Sequence, residues 1–281
     1  MRVRRGRDEG HGALRAFLAA AALATTPLAG CGTQHSLPAI SGPELEAAAR
    51  DIAEAPPLQS GTRTPGQDAA MLARAAARLS AASQPFCAAY LARECGFEVL
   101  LDSSPGGSAT MSAEASGSGR VTVSAGLLRT LANEDEMAAV VAHEFGHHLA
   151  GHPARGLARG TAAGVAVGAL AGALIPFGGL AAWAIGQGAA ELGAGAAQLA
   201  YSREEEREAD YLAVFLLARA AYDPAQAGEV WIRLAPRGRA QTASGVLDRH
   251  PSEAERLAAW RRTVQEVRTS PGLVPRRDVA G

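Results

Sequence analysis

The sequence predicts an α+β fold, mostly helical, with a small sheet. Three observations carry this expectation. Several stretches repeat apolar residues at helical spacing behind recognisable capping residues; two short runs, Phe97–Leu101 and Arg120–Ser124, read as strands; and a hydrophobic content of 48% with only 5% aromatics leaves a core built on Ala, Gly and close helix contacts. A length of 281 residues with 20% charged suits one globular domain with appendages. The 27 basic residues are all Arg and face 28 acidic ones, a net charge of −1 with no basic patch, which excludes a nucleic-acid partner.

Residues 1–30 read as a targeting segment. Arg2, Arg4, Arg5, Arg7 and Arg15 precede the apolar run Ala16–Ala24, which has the length of a signal-peptide core and is too short to span a bilayer. It ends in Leu28-Ala29-Gly30-Cys31, which resembles the lipobox of bacterial lipoproteins. That resemblance implies cleavage before Cys31, acylation of Cys31 and a lipid anchor without a spanning helix. Gly32, rather than Asp, after the cysteine leans towards the outer membrane. Residues 31–66, with five prolines among Ser, Gly and Thr, read as a tether carrying one short helix behind Ser41 and Glu44. The folded domain is expected over residues 67–268, and residues 269–281 as a loose tail.

Within that domain, Gln67–Ala82 is a helix with Met71, Leu72, Ala75 and Leu79 on one face. Cys87 and Cys95 could pair in an oxidising compartment. One straight helix would hold them about 12 Å apart, so a bond requires a helix break between them; two buried thiols is the other reading. Ser103–Gly119 is Gly/Ser-rich and loop-like. Residues 160–200 are almost uncharged and small, split at Pro176 and Gly178-Gly179 into two pieces each short for a bilayer span. They read as two close-packed helices beside the site, with a membrane hairpin as the alternative. A helix from Tyr201 to Ala218, another through Trp231 and Leu234, and a last one behind Ser252 complete the chain.

The chemistry concentrates in His143-Glu144-Phe145-Gly146-His147. Asn133 is a good N-cap with Glu136 at the capping-box position, Glu134 and Asp135 suit the positive helix end, and Met137, Val140, Val141, Phe145 and Leu149 recur at helical spacing to about Gly151. Mid-helix, two histidines four residues apart lie about 40° apart around the axis, one turn above the other, so both imidazoles reach one ion. A carboxylate next to the first can then take a proton from water on that ion. This is the H-E-x-x-H arrangement of a zinc peptidase.

A catalytic zinc wants a third protein ligand. A histidine six residues after His147 is excluded, because Pro153 stands there. His148 and His152 are rotated away and read as surface or packing residues. A carboxylate on the Ser202 helix remains, with Glu204, Glu205, Glu206 and Glu208 on offer. Here the chain resembles the HtpX-like family of gluzincin metallopeptidases. It carries Ser202-Arg203, Glu206 and Ala209-Asp210 of the family's S-R-x-x-E-x-x-A-D, Gly126-Leu127-Leu128 before the active-site helix, and His250-Pro251 followed by Arg256. The resemblance implies a zincin-like fold, one Zn2+ per chain on His143, His147 and Glu206, Glu144 as the acid/base, and Asp210 hydrogen-bonded to a ligating histidine. His250 could bind the carbonyl oxyanion or cover the zinc, or be a plain loop histidine. Ser112-Ala113 replaces the family's Asn-Ala on the strand flanking the cleft. The resemblance and the expected compartment imply an envelope endopeptidase acting on misfolded or misassembled proteins. The alternatives are a chaperone or scaffold lipoprotein on the same fold, and a membrane-remodelling module built on residues 160–200.

Overall fold

The helix that carries the two histidines is the centre of the molecule. The computed structural model describes residues 33–91, 95–117, 119–174, 201–235 and 254–278. Cys31, His250 and residues 175–200 lie outside them. In chain order the elements are α1 (Gly42–Glu54), α2 (Pro65–Leu91), β1 (Glu98–Asp102), α3 (Pro105–Ala109), β2 (Ala113–Ser116), β3 (Arg120–Ser124), α4 (Ala125–Leu128), α5 (Glu134–Ala150), α6 (His152–Leu174), α7 (Arg203–Arg219), α8 (Pro224–Ala227), α9 (Glu229–Leu234) and α10 (Ala254–Val267).

Helix α5 begins where its cap residues dictate. Asn133 Oδ1 accepts from the Glu136 N–H at 2.9 Å, three acidic residues sit in the first turn, and Gly151 ends the helix in the left-handed region at φ 75°. Glu136 does not complete a capping box. Its carboxylate accepts instead from the Ala132 N–H at 2.7 Å and from Arg233 at 2.7 and 2.8 Å. From Glu136 to Ala150 every residue of α5 is buried, because α2, α7 and the sheet pack around it. The apolar stripe read from the sequence is only one part of a helix covered on all sides.

The sheet has the order β1-β3-β2, with β1 parallel and β2 antiparallel to β3. Its third strand comes from within the stretch that composition marks as a loop. The Ser124 hydroxyl holds the start of β2 in place, accepting from the Ser112 N–H at 2.9 Å and donating to the Thr110 carbonyl at 2.9 Å. Gly126 fits the same turn only as glycine, since a Cβ there would lie 1.9 Å from the Thr110 oxygen. Met71, Leu72, Leu79, Val121, Val123, Phe145, Leu212, Phe215 and Trp231 share one hydrophobic core across α2, β3, α5, α7 and α9.

Helix α2 runs nine residues beyond the expected Ala82, through Pro85. It stops between the two cysteines, and Cys87 and Cys95 are disulfide-bonded with Cα atoms 5.5 Å apart. The helix break that the bond requires is thus the end of α2. Residues 33–66 do not hang free as a tether. Helix α1 packs on α10 through Ala48, Leu257 and Ala258, and Arg63 donates to the carbonyls of Leu128 and Leu131 at 2.8 and 2.6 Å. The expected tail is also attached: His35 and Arg277 form a β-bridge, and Arg276 pairs with Glu266 at 2.7 Å. Among the described residues no helix is long and apolar enough to cross a membrane.

Candidate metal centre

Helices α5 and α7 cross at the site, and their closest approach is made by Gly146. A Cβ at Gly146 would stand 2.4 Å from the Ala209 carbonyl oxygen, so only glycine lets the two backbones touch there. This contact sets His143 and His147, one turn apart on α5, opposite Glu206 on α7.

The resulting donor geometry is specific. His143 Nε2 lies 3.1 Å from His147 Nε2. Glu206 Oε2 is 3.3 Å from His143 Nε2, and Glu206 Oε1 is 3.4 Å from His147 Nε2. Ligands at about 2.0–2.1 Å from a tetrahedral zinc are separated by about 3.3 Å from each other. The three separations therefore match one face of a tetrahedron, and the buried His143, His147 and Glu206 form the metal-binding group found among the described residues. The residues fit zinc by donor type as well as distance: two imidazole nitrogens and one carboxylate.

Each histidine is aimed by a bond at its other nitrogen. His143 Nδ1–H donates to Asp210 Oδ1 at 2.9 Å. His147 Nδ1–H points at His152 Nδ1, 2.7 Å away, and His152 Nε2–H donates to Glu208 Oε2 at 3.1 Å. Both Nε2 lone pairs are thereby turned to the same point. Of the two readings for His148 and His152, packing holds: His152 is fully buried behind His147, and His148 Nε2–H donates to the Arg120 carbonyl at 2.9 Å, tying α5 to β3. Rings close the site from two sides. Tyr201 stacks on His147 at 3.9 Å between centroids, and Trp231 meets His143 edge-on at 5.3 Å.

Arg256 of α10 binds both acidic partners of the site. Its Nη1 is 2.9 Å from Glu206 Oε2, while its Nε and Nη2 donate to Asp210 Oδ2 and Oδ1 at 2.8 and 2.9 Å. The guanidinium also lies over the Trp231 ring, 5.0 Å from its centroid. Sequence comparison marks Arg256 as a motif position but assigns it no task; Tyr201 and Trp231 carry no sequence signal at all.

Burial opposes every charge here, and the neighbours decide the outcome. Burial lowers the His143 pKa, yet the Asp210 and Glu206 carboxylates push it up to about 9 in the metal-free site. At His147 burial, joined by His143 and His152, outweighs Glu206 and holds it well below its usual range. Asp210 is kept ionised against burial by Arg256 and His143. Burial raises Glu208, but His152, His35 and the Gln34 N–H bring it down to about 2. A metal on these nitrogens competes with protons for the same lone pairs. Zinc bound there would supply Lewis-acid chemistry, polarising an oxygen and making water acidic near neutral pH.

Fold and donor set define a class: a zinc metallopeptidase with two histidines from one helix and a glutamate from a later one. Within that class the chain belongs to Peptidase family M48, whose model matches residues 99–264. It is 33% identical over 140 residues to the mitochondrial metalloendopeptidase OMA1 of Schizosaccharomyces pombe, covering 50% of this chain and 39% of that protein. It is 30% identical over 144 residues to the protein of the same name from Saccharomyces cerevisiae, again 50% and 39%. The chain therefore spans well under half the length of these curated relatives.

Proposed function

We propose that the protein is a zinc endopeptidase of the bacterial cell envelope, anchored by a lipid on Cys31 to the periplasmic side of the outer membrane, that cleaves misfolded or misassembled envelope proteins. The observation that carries the hydrolytic reading is the tetrahedral face of His143, His147 and Glu206 with Glu144 buried beside it on α5. Family membership supports peptide-bond hydrolysis. The anchor rests on the lipobox-like Leu28–Cys31.

In this reading Glu144 accepts a proton at its carboxylate and returns it to the leaving amine. Its charge is near enough to help hold the Arg256 guanidinium protonated. Strand β2 lies at the edge of the sheet beside α5. An extended substrate segment can add to that edge through backbone hydrogen bonds. Ser112 at the start of this strand lacks the amide side chain common in the family, so recognition there rests on the backbone.

Glu144→Gln is expected to retain one zinc per chain and to lose cleavage of an unfolded protein. Cleavage persisting in that variant would remove Glu144 from the reaction, and a wild-type protein without zinc would remove the metal. Cys31→Ala is expected to move the protein out of the membrane fraction.

A further inference from the structure

The hydrogen-bond chain behind His147 does not end inside the peptidase core. It ends on the segment that directly follows Cys31. His35 is buried, and its Nδ1 lies 2.8 Å from Glu208 Oε1. The Gln34 N–H donates to the same oxygen. The segment is fixed from outside as well. Gln34 Nε2 donates to the Ala150 carbonyl at 3.2 Å, the Asp278 N–H donates to the Gln34 carbonyl at 3.1 Å, and the Ser36 N–H donates to the Arg276 carbonyl at 3.0 Å. Tyr90 and Tyr211 pack their rings on His35 at 5.1 and 6.1 Å between centroids.

The proton positions along this chain follow from the metal end. A ligating His147 Nε2 has its lone pair free, so its proton is on Nδ1. His152 must then accept at Nδ1 and carry its own proton on Nε2. Glu208 must accept that proton at Oε2, which a carboxylate does. Its other oxygen is left to Gln34 and His35, both donating, and the far Nε2 of His35 is buried without a hydrogen-bond partner. The bonds converge on the Glu208 carboxylate: His147 donates to His152 and His152 to Oε2, while Gln34 and His35 donate to Oε1. Arg155, with Nη2 3.6 Å from Glu208 Oε2, adds a cation to the same carboxylate.

We propose that His35 and Gln34 are positioning residues for the metal site: they fix the Glu208 carboxylate, which orients His152 and through it His147, so that docking of the segment after Cys31 tightens zinc binding. This rests on the reading of His143, His147 and Glu206 as zinc ligands. Outer partners of a ligating histidine set its tautomer and basicity, and their loss typically weakens metal binding 10–100-fold.

The test compares zinc affinity, measured by competition with a chelator, in full-length wild type, His35→Leu and His35→Asn. Leu fills the space without a donor, whereas the Asn amide nitrogen can replace Nδ1–H. His35→Leu is expected to bind zinc about tenfold more weakly and to shift the visible bands of the Co2+-substituted protein. His35→Asn is expected to stay within about threefold of wild type. In a Glu208→Gln background, His35→Leu should add nothing, because the pathway is already cut. Equal losses in the Leu and Asn variants, or a His35→Leu affinity within twofold of wild type, would overturn the proposal while leaving the zinc site standing. Failure of wild type to bind zinc would overturn both.

Discussion

Arg256 makes the strongest single-residue demand on the site. It pairs with two buried carboxylates, Glu206 and Asp210, that lie one turn apart on α7. Removing one member of a buried charge group leaves the others uncompensated, at a cost of about 3–5 kcal/mol. Arg256→Ala is therefore expected to lower the thermal midpoint of the metal-free protein strongly. Zinc, which brings positive charge back to Glu206, should recover part of the loss, and its affinity should still fall about tenfold or more because Asp210 no longer holds His143. Calorimetry with and without zinc checks this; a metal-free midpoint within a degree of wild type would contradict it. His143, Glu144, His147 and Glu206 were legible because spacing on a helix is a local property. Arg256, Tyr201 and Trp231 act across α5, α7, α9 and α10, and no local pattern reports which distant side chain will arrive. For His152 the packing role is legible but its partner is not, for the same reason. Its rotation away from the ion was correctly expected, but the carboxylate that buries it, Glu208, lies 56 positions further along the chain.

At the scale of elements, the site depends on how closely α5 and α7 approach. Gly146 sits between the two histidines in sequence and against Ala209 in space. Alanine has the better helix propensity by about 1 kcal/mol, so a substitution judged on α5 alone would stabilise it. The added Cβ instead meets backbone, not a side chain that can turn aside, and the helices must separate. We expect Gly146→Ala to destabilise the fold by about 1–3 kcal/mol and to weaken zinc, since His143 and His147 would move away from Glu206. A rise in thermal midpoint with unchanged zinc affinity would show that the contact yields more easily than the geometry implies. The Ala- and Gly-rich composition announced close helix contacts in general, and α5 was located through Asn133 and Gly151. What composition could not supply was β2. Ala113–Ser116 alternates weakly and lies among glycines, and its pairing with β3 is specified by the Ser124 hydroxyl and by the space that Gly126 leaves.

At the scale of the whole molecule, Tyr90 and Tyr211 hold the outer segments to the core, and Tyr222 ties the end of α7 to α5. Tyr222 donates to Glu134 at the start of α5 at 2.9 Å. Tyr211 donates to Glu266 at 2.8 Å and accepts from the Arg276 N–H at 2.9 Å, joining α7, α10 and the C-terminal stretch. Tyr90 packs on His35 and lies under the Arg277 guanidinium. Sequence composition assigned residues 31–66 and 269–281 to a tether and a tail because prolines and glycines signal poor helix formation. They do not signal absence of contact, and these long-range partners are what composition cannot see. Burial, aided at Tyr211 and Tyr222 by adjacent carboxylates, pushes all three phenols up to about 12. The ordinary value in an unfolded chain is about 10. A folded pKa above the unfolded one means that the folded state keeps a proton the unfolded chain gives up. The contribution is then fully present below pH 10 and is lost as pH rises through 12. All three shifts act in the same direction, so their stabilisation is lost together as pH rises, moderated at each ring by solvent screening. The protein is therefore expected to unfold cooperatively between about pH 10 and 12, with phenolate absorbance and loss of helical circular dichroism rising together. Tyr222→Phe removes one of the three protons, so its transition should be smaller in phenolate amplitude and shallower in its dependence on pH. Phenolate absorbance that saturates near pH 10 while the helical signal is intact would show that these hydroxyls are solvent-accessible in the folded protein, and that the N- and C-terminal segments are not fastened by them.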